Sequence, residues 1–134
     1  MIVVDASVLV DALIDDNPAG QAARVALGSD PHWAAPGHML IEVVAVIRAK
    51  ALGGGVSPAR AQEAIAALPS LVLDEVGAVQ LIDRMWQLRA NVTAYDAAYV
   101  AAAELLASSL VTGDARLTKA TGPRCDFTLI APRE

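Results

Sequence analysis

Four acidic residues stand at positions where they could take part in chemistry. Asp5 directly follows a short β-branched run, and Asp114 follows a second apolar run. Asp96 lies near the start of a nearly all-apolar segment, and Glu42 lies inside another. Carboxylate ligands without histidine or cysteine select hard cations such as Mg²⁺ or Mn²⁺. Such a cation can activate water for phosphodiester hydrolysis. If the four side chains converge, the sequence indicates a metal-dependent hydrolytic site.

Each acid also has a purely structural interpretation. Asp5 and Asp114 can each cap the helix that follows, which is the commoner role of such an aspartate taken alone. Asp96 lies three residues after Thr93 and can complete a variant of the capping box. Glu42 lies too far inside its predicted helix to cap it. Its carboxylate is therefore expected either on a hydrated stripe of that helix or buried with a partner.

The elements that must position these acids follow from periodicity and from turn residues. Buried β-branched runs predict short strands, and segments with helical spacing separate them. We therefore expect an α/β fold, with a central, mostly parallel sheet of four or five short strands flanked by helices. Strands are predicted at residues 2–4, 32–36, 71–73, 110–112 and 127–130, and helices at residues 6–14, 18–27, 37–52, 57–68, 76–89 and 93–107.

Connectivity predicts where three of the acids meet. Parallel strands share a carboxyl edge, where open α/β sheets place their sites. Asp5 and Asp114 should both lie at that edge. In a right-handed crossover the helix runs antiparallel to the strands, so Asp96 at the start of its helix reaches the same edge. The sequence leaves open whether Glu42 joins them.

Size and composition limit the class of protein. The chain has 134 residues, of which 55% are hydrophobic and 19% charged, and we expect one globular domain over residues 1–134. Cys125 is the only cysteine, which excludes an internal disulfide. There is no signal pattern and no apolar run of the ~20 residues that span a bilayer, so we expect a cytoplasmic protein without a membrane partner. The net charge of −5 argues mildly against nucleic-acid binding unless a bound cation inverts the local field.

Taken together, the acid-bearing segments resemble the four motifs of the PIN-domain nucleases. Each motif alone is weak, but their order and spacing match over the whole chain. The length of the chain is most similar to that of the VapC toxins of bacterial toxin–antitoxin pairs. The four segments are VDASVLV at residues 4–10, LIEV at 40–43, YDAAY at 95–99 and VTGDARL at 111–117.

The resemblance implies a ribonuclease that uses metal-activated water and leaves 5′-phosphate and 3′-hydroxyl ends. It implies that a Mg²⁺ or Mn²⁺ ion is held by the acids, with Asp5, Asp96 and Asp114 nearest the metal and Glu42 acting through water. The hydroxyls of two further residues, Ser7 and Thr112, match positions that orient the carboxylates in the family.

The resemblance also implies partners. VapC toxins are usually homodimers, and a small VapB antitoxin silences each of them. Some family members carry a further acid where this chain has Arg116, which puts a second tightly held metal in doubt. Arg116 and Lys119 could contact RNA phosphate or could simply form a solvated helix face. Trp86 is expected in core or interface packing.

Two other classes of function compete with this interpretation. Haloacid-dehalogenase-type phosphatases also begin with a strand that ends in aspartate, but they need an acid where this chain has Ser7. A catalytically silent PIN-like module that binds RNA or protein would be expected to lack one or more of the acids. His32 and His38 are too isolated to form a metal pair, and we expect both in turns or on the surface.

Overall fold

A computed structural model describes residues 1–130 of the chain. Its centre is a sheet of five strands, all parallel, in the order β3-β2-β1-β4-β5. The first strand lies in the middle and all three of its residues are buried. The α/β fold is therefore confirmed. The strands are β1 (Ile2–Val4), β2 (Trp33–Pro36), β3 (Leu73–Val76), β4 (Ser109–Thr112) and β5 (Phe127–Leu129).

Helices connect the strands and flank the sheet, as predicted, and most of their bounds shift by one or two residues. Asp5, Ser57 and Thr93 cap the helices that follow them. A short 3₁₀ turn at Leu68–Ser70 leads into β3. The helices are α1 (Ala6–Ile14), α2 (Pro18–Gly28), α3 (Met39–Leu52), α4 (Pro58–Ala67), α5 (Ala78–Gln87), α6 (Ala94–Leu105) and α7 (Ala115–Lys119).

The third strand differs from the prediction, which placed it at residues 71–73. In the structure it begins at Leu73 and pairs with β2 as far as Val76, opposite Pro36. Its middle residues, Asp74 and Glu75, are exposed. A strand at the edge of a sheet tolerates charged side chains that a central strand cannot bury, so the apolar run did not mark its position.

Helix α6 is the central helix, as its all-apolar sequence predicted. Residues 97–103 are all buried, and the helix packs against β1 and β2. Most of these side chains are alanine, so the helix can lie close to the sheet. Tyr99 is the large exception and is almost completely buried.

Helix α5 is amphipathic, but much of its apolar stripe faces away from the core. Val79 is 87% exposed, Ile82 53% and Trp86 67%, whereas Leu81 is buried. Trp86 therefore does not pack in the core. Across residues 1–130, none of the helices has the length and apolar character needed to span a membrane.

Candidate active site

Asp5 follows the central strand directly and is held by two hydrogen bonds. The Thr112 hydroxyl donates to Asp5 Oδ2 at 2.7 Å. The backbone N–H of Ser7 donates to Oδ1 at 3.3 Å, which is the helix-capping contact for α1. Asp5 therefore caps a helix and also lies at the carboxyl edge of the sheet. The contact from Ser7 uses its backbone N–H, whereas the resemblance implied its hydroxyl.

Thr112 connects two of the acids from a completely buried position at the end of β4. Its hydroxyl donates to Asp5 and accepts the backbone N–H of Asp114 at 3.1 Å. A hydroxyl has one proton and two lone pairs, so it can serve both partners at once. The position of Thr112 agrees with the role that the resemblance implied.

Asp114 caps the short helix α7. Its Oδ1 accepts the backbone N–H groups of Arg116 at 2.9 Å and of Leu117 at 3.3 Å. The capping interpretation is therefore correct for Asp114, and it does not compete with a role at the sheet edge. The carboxylate is half-buried beside that of Asp5.

Asp96 lies in the first turn of α6, where its own N–H donates to the Thr93 hydroxyl at 3.4 Å. Its side chain is half-buried. Burial raises the pKa of Asp96 first of all, and the charges of Asp5 and Asp114 raise it further. The helix start therefore lies at the carboxyl edge, as connectivity predicted.

Glu42 lies at the same end of the molecule, in the first turn of α3. The helix begins at Met39 rather than at residue 37, which places Glu42 in its first turn, although His38 rather than Glu42 is the capping residue. Its Oε1 accepts the hydroxyl of Tyr99 at 3.0 Å. Glu42 therefore combines features of both alternatives, because it has a protein partner and yet remains partly exposed to solvent.

The charges of the four acids act on one another. Burial raises the pKa of Asp5, and the charges of Glu42 and Asp114 raise it further, although the hydrogen bond from Thr112 acts in the opposite direction. Clustered carboxylates in a partly desolvated place favour a shared proton or a bound cation. Within residues 1–130, no three acid, histidine or cysteine side chains form a ready metal cage. The arrangement suits an ion such as Mg²⁺, which keeps several of its own waters.

A cleft of about 630 Å³ opens beside the acids. It runs from the sheet edge along the space between α1 and α3, and Lys50 is the basic residue that lines it within the described part of the chain. Arg116 and Lys119 are exposed and do not line the cleft. Asp96 also lies outside its wall. The lining residues are Asp5, Ala6, Ser7, Val10, Asp11, Glu42, Val46, Lys50, Gly113, Asp114 and Ile130.

Sequence reasoning missed three polar side chains near the acids. The Tyr99 hydroxyl and His38 both contact Glu42, and Lys50 lies in the cleft wall. His38 lies in the turn before α3, as expected, but it is not isolated, because its ring lies beside Glu42. One signal was available, because His38 precedes Glu42 by four residues, the spacing that places two side chains on one helix face.

Comparison with known proteins agrees with this arrangement. The PIN domain family model matches residues 2–123. Ribonuclease VapC1 of Mycobacterium tuberculosis is 39% identical over 129 residues, which cover 96% of each chain. Ribonuclease VapC9 of the same species is 35% identical over 130 residues, 97% of this chain and 98% of the relative. The chain belongs to the PIN-domain family, among the VapC ribonucleases.

Solved structures show the same fold. A toxin–antitoxin complex from Klebsiella pneumoniae contains a chain that superimposes with a TM-score of 0.71, over 99% of this chain and all of that one. The sequence identity is 18%, so this likeness concerns the fold alone.

Replacing Thr112 with valine should disturb both acids while keeping the shape of the side chain. The Asp114 N–H would lose its acceptor and Asp5 one of its donors. Leaving a buried group unpaired costs about 1–3 kcal/mol. We expect Thr112→Val to lower the free energy of unfolding by that amount in urea titrations. Thr112→Ser should retain most of the wild-type free energy of unfolding. Thr128→Val, on the exposed side of the neighbouring strand β5, is the control. Equal stability of the two valine variants would contradict the role of the hydroxyl.

Asp5 should destabilise the metal-free protein at neutral pH. Because its pKa is raised in the folded chain, the native state keeps the proton to a higher pH than the unfolded chain does. The free energy of unfolding therefore falls as the pH rises from the ordinary pKa of an aspartate to the raised pKa of Asp5. Above the raised pKa this loss of stability is complete. We expect Asp5→Asn to raise the Tm by a few degrees at pH 7 in chelator and to flatten this pH dependence.

The control for that experiment is Asp16→Asn. Asp16 forms an exposed ion pair with Arg60 at 2.8 Å, and the hydrogen bond from Arg60 lowers its pKa. Its contribution has the opposite sign, because it is present above the ordinary pKa and is lost as the pH falls. A Tm of Asp5→Asn below that of the wild type in chelator would contradict the predicted electrostatic cost.

Proposed function

We propose that this chain is a divalent-metal-dependent ribonuclease that acts as the toxin of a toxin–antitoxin pair. The observation that carries the proposal is the meeting of four carboxylates, Asp5, Glu42, Asp96 and Asp114, at one sheet edge of a PIN-domain chain. Related VapC proteins are named as ribonucleases. The proposal assigns the catalytic machinery to these four residues.

The donor chemistry fits Mg²⁺ or Mn²⁺. Asp5, Asp96 and Asp114 would hold the ion, since their mutual repulsion is relieved by a positive charge. When bound, such an ion lowers the pKa of water and neutralises charge that develops on the phosphate. Arg116 stands where a further acid would support a second ion, so we expect one tightly held metal.

The side chains have distinct tasks in the proposed hydrolysis. Thr112 and the Ser7 N–H hold Asp5 in one orientation. Glu42 orients the attacking water and accepts its proton. The water oxygen bonds to phosphorus, the bond from phosphorus to the 3′ oxygen breaks, and that oxygen takes up a proton. The products carry 5′-phosphate and 3′-hydroxyl ends.

The cleft wall supports a route for the substrate. Lys50 lies in this wall, and within residues 1–130 no carboxylate lies within 4 Å of its amine. Its positive charge would attract an RNA phosphate that enters the cleft. Arg116 and Lys119 remain proposed contacts for RNA that extends beyond the cleft.

Apolar surface supports the proposal of protein partners. Val79, Ile82 and Trp86 on α5 are all more than half exposed, and large side chains of this kind are typical of interfaces. We assign this face to a second copy of the chain in a homodimer. A VapB-type antitoxin is proposed as the partner that silences the enzyme.

The alternative is a PIN-like module that binds RNA or protein without cutting it. The presence of all four acids argues against this alternative. Binding of RNA without cleavage, in the presence of either metal ion, would support it.

Metal binding and RNA cleavage should both depend on Asp96. We expect Mg²⁺ or Mn²⁺ to raise the Tm of the wild-type protein, because binding to the native state stabilises it. We also expect the wild type to cut total RNA into discrete fragments with 5′-phosphate ends. Asp96→Asn should lose most of the thermal shift and reduce cleavage by about 100-fold or more, since the weakened ion no longer activates water or neutralises the phosphate.

Asp83→Asn is the matched control, because it removes the same charge from an exposed position of α5. It should behave like the wild type in both assays. Equal cleavage by the wild type and Asp96→Asn would refute the site.

The α5 face can be tested by changing one exposed apolar residue to a charged one. We expect the wild-type chain to elute as a dimer in size-exclusion chromatography with light scattering. Ile82→Glu should be a monomer, because the charge would be desolvated at the interface. Val25→Glu, on the exposed face of α2, should remain a dimer. A dimeric Ile82→Glu would exclude this face.

A further inference from the structure

Glu42 has two polar neighbours from different parts of the chain, and both contact the same oxygen. Tyr99 on α6 donates to Oε1 at 3.0 Å. His38, the residue that precedes α3, has its Nε2 at 2.9 Å from Oε1. Glu42 also lines the cleft. Both contacts are made to Oε1, and within residues 1–130 no hydrogen bond to Oε2 is present.

Tyr99 can act on Glu42 only as a hydrogen-bond donor. Its side chain is almost completely buried in the layer between α6 and the sheet. Burial raises the pKa of its hydroxyl far above the ordinary value, and the charges of Glu42 and Asp5 raise it further. The phenol therefore keeps its proton at neutral pH. A buried tyrosine hydroxyl needs a partner, and here that partner is a carboxylate of the site.

His38 is held beside Glu42 by aromatic packing. Its ring centroid lies 5.4 Å from that of Tyr95 and 5.1 Å from that of Tyr99, the latter in an edge-to-face arrangement. The Nε2 atom is within hydrogen-bonding distance of Glu42 but is poorly aligned with it. Within residues 1–130 it is the buried side-chain polar atom without a hydrogen bond. A buried polar atom without a hydrogen bond costs free energy, and a bond to Glu42 Oε1 would remove that cost.

We propose that Tyr99 and His38 are positioning residues that fix Oε1 of Glu42 against the protein, so that Oε2 orients the attacking water in the cleft. This inference rests on the proposed ribonuclease function and deepens it. It gives Glu42 a different role from that of Asp5, Asp96 and Asp114. Those three acids would hold the ion, whereas Glu42 is restrained by protein donors and acts on water.

The chain offers matched controls, because it contains two tyrosines and two histidines. Tyr99→Phe removes the hydroxyl that donates to Glu42, and Tyr95→Phe removes an exposed one. His38→Gln removes the ring beside Glu42, and His32→Gln removes an exposed ring. Cleavage of a fluorescent RNA at saturating Mg²⁺ gives kcat and KM for each variant.

We expect kcat to fall by about 10-fold or more in Tyr99→Phe and in His38→Gln, because an unrestrained base is less often aligned with its water. KM for RNA and the thermal shift caused by Mg²⁺ should stay within about two-fold of the wild type, because neither residue binds the substrate or the ion. Tyr95→Phe and His32→Gln should retain wild-type kcat.

A double-mutant cycle separates positioning from a general structural effect. In a Glu42→Gln background, Tyr99→Phe should cause no further loss of kcat, since residues that act as a unit are not additive. A readout independent of activity is the pair of histidine ring signals in ¹H–¹³C NMR spectra. The Glu42→Gln substitution should move the His38 signal and leave that of His32 in place.

The outcomes distinguish this inference from the function on which it rests. If the wild type does not cleave RNA with either metal, the ribonuclease proposal fails and the positioning role with it. If the wild type cleaves, and Tyr99→Phe behaves like Tyr95→Phe or is fully additive with Glu42→Gln, only the positioning role is refuted. An unmoved His38 signal in Glu42→Gln would refute the part assigned to His38.

Discussion

The hydroxyl of Thr112 is the contact on which the site depends. It is buried between the ends of two adjacent strands and binds both the carboxylate of Asp5 and the backbone of Asp114. The pairing of Val4 with Val111 in the parallel ladder sets this geometry, because it brings the ends of β1 and β4 to the same level. Threonine suits the position, since its β-branched shape fits a buried strand and its hydroxyl satisfies two polar partners.

The acids illustrate two ways in which a fold can hold carboxylates close together. Burial and neighbouring carboxylates raise the pKa values of Asp5 and Asp96, so the ionised forms of both are less favourable than in water. Glu42 is instead given a protein donor in Tyr99. Asp5 and Asp114 also cap helices, because each accepts backbone N–H groups. The structural and functional interpretations of these aspartates are therefore compatible, since one oxygen can cap a helix while the carboxylate faces a site.

Much of the fold could be predicted because its signals are local. The β-branched run of β1 and the all-apolar sequence of α6 both indicate burial, and both elements lie at the centre. Connectivity then placed Asp5, Asp96 and Asp114 at one edge. The predictions were wrong where the packing of neighbouring elements, rather than the local sequence pattern, decides the structure. Strand β3 lies at an edge, where charged residues are tolerated. The apolar stripe of α5 faces outward, because periodicity shows that a helix has an apolar face but not what covers it.

The sequence by itself determined the succession of strands and helices along the chain and the α/β class. It also determined that Asp5, Asp96 and Asp114 share one edge of the sheet. These properties follow from residue periodicity and from the geometry of parallel connections. Only the tertiary structure decided that Tyr99 reaches Glu42 across 57 residues and that Thr112 reaches Asp5 across 107. It also decided that Lys50 lies in the cleft wall whereas Arg116 does not. The reason is that contacts between distant side chains depend on strand register, helix packing and rotamers, which no local pattern encodes.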